Sequence, residues 1–152
     1  MPPPHSHFRT TMSERAADLS KTPERGAVAV EFAILAPVLI MILLGIMEFG
    51  RAYQVQTTLS NAAREGVRVM AIHNSQPAAK AAANNAAGGL NPGLKDEKVN
   101  FKYQTTPATT PAPTACAPNV QVTVTIDYAL TTMTGIAGPF AMKGIGTMQC
   151  GG

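Results

Sequence analysis

Tryptophan is absent, and aromatic residues of all kinds make up only 5% of the 152 residues. Charged residues reach 14%, well below the usual quarter or so. So few aromatics and charges, beside 12 prolines and 13 glycines, make a poor composition for a large packed soluble core. The net charge of +3 is mild, and no dense basic stripe of the kind nucleic-acid binding needs is present. Catalytic signatures are missing too: there is no HExxH, no P-loop and no GxSxG. Asp96, Glu97 and Asp127 form no carboxylate pair that the sequence brings together, and His73 stands alone after a helical stretch. His5 and His7 sit in a Pro-rich tail, where solvated side chains are the expected reading. Neither an enzyme nor a cofactor or metal site is expected.

The apolar residues are concentrated in one run, which argues against disorder throughout. Ala27 to Met47 reads AVAVEFAILAPVLIMILLGIM and contains one charge, Glu31. As a helix it would be about 31 Å long, close to the hydrocarbon thickness of a bilayer. A buried helix in a soluble protein would need more surrounding apolar mass than this chain has. Arg15, Lys21 and Arg25 flank the run on its N-terminal side and Arg51 alone on the other, which puts the N-terminus in the cytoplasm. The stretch after the run, Gly45 to Gly50, offers no Ala-x-Ala-like site for a secretory signal peptidase.

The start of the run is unusual. Arg25-Gly26 precede Ala27-Val28-Ala29-Val30-Glu31-Phe32. An acid inside a membrane helix is costly and calls for a partner. If the chain were cut after Gly26, the new amino group of Ala27 would supply one. Gly, four apolar residues and Glu, placed at the cytoplasmic edge of a membrane helix, resemble a type IV prepilin processing site. The wider block resembles the TadE-like family, minor pseudopilins of the tight-adherence (Flp pilus) system. It carries Arg25-Gly26, Glu31-Phe32, Pro37, Gly45, Glu48-Phe49-Gly50-Arg51 and Asn61-Ala62-Ala63-Arg64-Glu65-Gly66.

The resemblance implies cleavage by a prepilin peptidase between Gly26 and Ala27. It implies pairing of Glu31, beside Phe32, with an Ala27 ammonium during assembly. Other pilins and pseudopilins, an inner-membrane assembly platform and membrane lipid are the partners implied. A departure is the long leader, residues 1–26, which Met12 as an alternative start would shorten to fifteen residues. The leader is expected to be unstructured, with Pro23 keeping the helix from extending upstream and Gly26 resisting helix propagation back into it. Removing it would take away Arg9, Arg15, Lys21 and Arg25 against Glu14, Asp18 and Glu24, so the net charge falls from +3 to +2.

Beyond the membrane the helical pattern continues. Ala52, Val55, Leu59, Ala62, Gly66 and Val69 recur at three- and four-residue spacing, predicting one helix from about Ala27 to His73 with Pro37 as its kink or flexible point. Glu48–Arg51 and Glu65–Arg68 read as i,i+3 pairs supporting that helix. Residues 78–87 predict a short second helix stopped by Gly88-Gly89. Strands are expected near 99–103, 120–128 and 142–150; in the second, Val120, Val122, Val124, Ile126 and Tyr128 share one face. Thr105 to Pro118 holds four prolines and reads as a stiff exposed loop. The expected fold is α+β: a long membrane-spanning helix continuing outside and packed on a small antiparallel sheet, pilin-like in outline. Residues 1–26 form the cleaved leader, 27–47 the span, and 48–152 the external domain, periplasmic or carried into the pilus.

If the last two strands form a hairpin turning near Gly135, Cys116 comes within reach of Cys150. An oxidising compartment would favour a disulfide; free thiols or an intermolecular bridge are the alternatives. A different function stays open as well, an uncleaved signal-anchored periplasmic binding module with a fortuitous Glu31.

Overall fold

The computed structural model describes residues 22–133, 135 and 138–151. Most of the expected leader, residues 1–21, lies outside the described residues. The element order is α1 (Thr22–His73), α2 (Gln76–Ala86), a 3-10 turn (Asp96–Lys98), β1 (Val99–Thr105), β2 (Val120–Leu130) and β3 (Phe140–Gln149). The chain divides into two units, residues 1–45 and 46–152.

In the first unit the only described element is the N-terminal part of α1. It begins at Thr22, five residues before the expected start. Pro23 does not hold the helix back because it is the second helical residue. There its missing N–H would have had no intrahelical acceptor. Gly26 is therefore helical, contrary to expectation, and Pro37 lies inside α1, which continues through it. All large apolar side chains from Val28 to Leu44 are more than two-fifths exposed. Nothing among the described residues covers them.

The second unit is α+β. Its sheet is three-stranded and antiparallel in the order β1-β2-β3. β2 is central: Val99 pairs with Ile126 on one side, and Gln121 with Gln149 and Leu130 with Phe140 on the other. The alternation in β2 sorts its faces as the period-2 rule demands. Val120, Val122, Val124, Ile126, Tyr128 and Leu130 are buried, while Gln121, Thr123, Thr125 and Asp127 are exposed or half-buried.

The core is closed by a stripe on α1: Val55, Leu59, Ala62, Ala63, Val67, Met70 and Ala71. The stripe is wider than the three- and four-residue spacing predicted. Val69 is only half-buried, and Val67 and Met70 take the inner positions, because two elements pack on this helix instead of one. The small residues explain how close the packing is. A Cβ at Gly66 would sit 3.2 Å from Cβ of Ala83 on α2. A Cβ at Gly146 would lie 2.5 Å from the Ala63 carbonyl oxygen, and one at Gly144 would collide with the Leu59 carbonyl. β3 thus lies directly against the backbone of α1, and only glycine permits it.

Element boundaries shift modestly. α2 starts two residues early because Ser75 caps it through its hydroxyl and Pro77 occupies the first turn. The strands run to Thr105 and Leu130 and from Phe140, each longer than expected at the end where the pattern was least regular.

Candidate functional site

Three groups of residues stand out, one in the first unit and two in the second. In the first unit, Gly26, Ala27, Glu31 and Phe32 are all exposed on α1. A Cβ at Gly26 would meet nothing within 4 Å. Packing among the described residues therefore does not require glycine there, and in a helix glycine costs about 1 kcal/mol relative to alanine. Glu31 has no hydrogen bond or ion pair among the described residues. An ionisable group without a partner, on a helix face made of Val30, Ile34, Leu35 and Val38, is the least satisfied group of this segment.

The second group ties α1 to the turn between β2 and β3. The expected helix-surface pair Glu48–Arg51 does not form among the described residues. Both side chains reach the turn instead. A Glu48 carboxylate oxygen accepts the Met133 backbone N–H at 3.1 Å, across 85 residues of sequence. Arg51 donates to the Thr131 carbonyl at 2.9 Å and more weakly to the Asn91 carbonyl at 3.5 Å. The turn passes within reach of both, and its unpaired backbone groups compete for them more effectively than two exposed side chains attract each other. The other Glu48 oxygen, Oε1, is buried without a hydrogen bond among the described residues. Beside this clamp the Tyr128 hydroxyl donates to the Pro92 carbonyl at 2.8 Å. Burial raises the Tyr128 phenol above its ordinary pKa, and the Arg51 charge offsets part of that rise. Glu65 and Arg68 do pair, at 3.9 Å on the exposed face of α1.

The third group is at the other end of the sheet. Cys116 and Cys150 are joined by a disulfide, with their Cα atoms 5.3 Å apart. The antiparallel register carries Cys150 to the start of β2, where its N–H donates to the Val120 carbonyl at 2.8 Å. Asn74, just past α1 with φ of 46°, bonds both backbone groups of Cys116. Sequence reasoning missed Asn74; an Asn directly after a helical pattern, the residue most tolerant of φ > 0 after glycine, was the available signal.

No cluster of three or more His, Cys, Asp or Glu side chains able to hold a metal ion occurs among the described residues. His73 is exposed. A groove of about 690 Å³ lies between Asn61, Arg64, Glu65 and Arg68 of α1 and residues 145–148 of β3, and its lining contains no nucleophile–base pair.

These features define a class: an α+β domain on one helix that is long and apolar enough to cross a membrane, with a mean hydropathy of 2.7 over its most apolar window. A single such helix fits a membrane-anchored protein. The family model described as TadE-like protein matches residues 26–68, which begins at Gly26 and includes Glu31, Pro37, Glu48, Arg51, Ala62, Ala63 and Gly66. That stretch of α1 is TadE-like, and the match suggests a Tad pilus-associated protein. No curated protein and no solved structure matches the chain.

Proposed function

We propose that this chain is a minor pseudopilin, cut by a prepilin peptidase between Gly26 and Ala27 and taking part in assembly of an Flp-type pilus. The observation that carries the reading is the pairing of two unexplained residues five positions apart. Gly26 is a glycine that packing among the described residues does not need, and Glu31 is an acid without a partner among them, on an apolar helix. Cleavage accounts for both: the peptidase reads the glycine, and the amino group it releases on Ala27 becomes the partner of Glu31. A charge-assisted hydrogen bond of this kind is strong where water is scarce.

In this reading residues 27–47 span the bacterial inner membrane and the leader is cytoplasmic. Residues 48–152 form a pilin-like domain on the periplasmic side, available to other pilins and pseudopilins and to an inner-membrane assembly platform. The role is structural and non-catalytic.

One observation favours the alternative, an uncleaved anchor carrying a periplasmic binding module: α1 passes through Gly26 without a break. Cleavage would then require local unwinding of its first turn, which a glycine eases. The test is Gly26→Leu, expressed with the peptidase. The pseudopilin reading expects the wild type to be shortened and the variant to stay full-length in the membrane. Full length in both would favour the uncleaved anchor.

A further inference from the structure

The folded domain carries apolar side chains that its own core leaves uncovered; Ile72, Ile145 and Met148 lie further along α1 and β3, and the others lie where the apolar run ends. Ile46 and Met47 close that run and are exposed. Phe49 and Tyr53, one helical turn apart, are 76% and 68% exposed. Met133, in the turn between β2 and β3, is 63% exposed, and Phe140, the first residue of β3, is 49% exposed. The clamp sets the level of the turn. Glu48, the residue directly after Met47, holds the Met133 N–H, and Arg51 holds the Thr131 carbonyl. The opposite end of the sheet meets α1 near Ala71 and Asn74, about 39 Å further along the helix by its rise per residue.

We propose that Met133 and Phe140, on either side of the β2–β3 connection, form a second lipid contact of this protein, lying in the headgroup interface beside Phe49 and Tyr53. Aromatic side chains concentrate at that depth, where one edge of the ring is apolar and the other wet. An irregular turn enters a poorly hydrated layer only if its backbone polar groups are already bonded. Glu48 and Arg51 satisfy that requirement for Met133 and Thr131. The clamp therefore both positions Thr131 and Met133 and eases the removal of those two backbone groups from water. Met133 then has a reason to be exposed: an apolar side chain on a turn tip gains nothing in water and gains transfer free energy at a lipid surface.

The inference rests on the membrane-anchored reading of α1, and the test separates the two. The chain has no tryptophan, so a single introduced one reports alone. Full-length protein carrying Met133→Trp, Leu39→Trp or Ala112→Trp is reconstituted into mixed phosphatidylcholine–phosphatidylglycerol vesicles containing lipid brominated either high or low on its acyl chains. Ala112 lies in the exposed loop at the far end of the sheet. Leu39→Trp should be quenched by deep bromines and Ala112→Trp by neither. Met133→Trp should shift to the blue and be quenched several-fold more by shallow than by deep bromines. Adding Glu48→Ala should reduce that shallow quenching and leave Leu39→Trp unchanged. Met133→Trp emitting like Ala112→Trp, with Leu39→Trp quenched, overturns the turn contact alone. An unquenched Leu39→Trp overturns the anchor and the turn contact with it.

Discussion

Asn74 grips Cys116 by both ends of its side-chain amide: Oδ1 accepts the Cys116 N–H at 3.1 Å and Nδ2 donates to its carbonyl at 3.3 Å. The disulfide is thus fastened to the end of α1 as well as to the sheet. With the cysteines 34 positions apart in sequence, the chain-entropy model assigns the bridge about 3–4 kcal/mol. Reduction should lower the urea midpoint of the detergent-solubilised protein accordingly. Asn74→Ala, made in the oxidised protein, should cost about 0.5–1.5 kcal/mol, since it removes two exposed hydrogen bonds that water can partly replace. Free-thiol labelling of the unreduced protein should find neither cysteine.

Gly146 tests the packing of β3 on α1. Gly146→Ala would drive a methyl into the Ala63 carbonyl, and no flexible side chain is there to yield. A loss of about 1–3 kcal/mol or more is expected in denaturant unfolding. Gly89→Ala, where nothing lies within 4 Å, should change stability by less than about 0.5 kcal/mol.

These glycines also mark the limit of what could be read from the sequence. The helix, the three strands and the hairpin register were legible because each rests on a local period: apolar run, alternation, turn. The half of the hidden face belonging to β2 was legible for the same reason. Gly144 and Gly146 were not, because their need for a missing Cβ arises only when Leu59 and Ala63, more than eighty residues away, are brought beneath them. Glu48 and Arg51 misled for a related reason. Their i,i+3 spacing is a local signal, and it was overridden by the backbone of a turn eighty residues distant. Of the proposed site, Gly26 and Glu31 stand out in the sequence because they are exceptions to their surroundings, a glycine in a helical stretch and an acid in an apolar run.

Tyr128 gives the domain an alkaline limit. Its phenol holds its proton more tightly folded than unfolded. That contribution is complete below the unfolded value of about 10 and is lost as pH rises through the higher folded value. Unfolding followed from pH 8 upward, as a titration spanning roughly three pH units around that unfolded value, should show wild type losing stability. Tyr128→Phe should lose less over the same range, while being about 0.5–1.5 kcal/mol weaker at neutral pH for want of the Pro92 bond.

Glu31→Gln keeps shape and polarity but removes the charge. If its role is to meet an Ala27 ammonium, the variant should be processed normally and yet co-purify poorly with partner pilins and pseudopilins. Full recovery of those partners would remove the pairing role while leaving cleavage untouched.

Cleavage itself is the central claim, and the intact mass of the protein extracted from its native membrane tests it most directly. The account predicts a chain that begins at Ala27, with or without a methyl group on its amino terminus, and ends with the Cys116–Cys150 bridge intact. A protein that still carries residues 13–26 would contradict it.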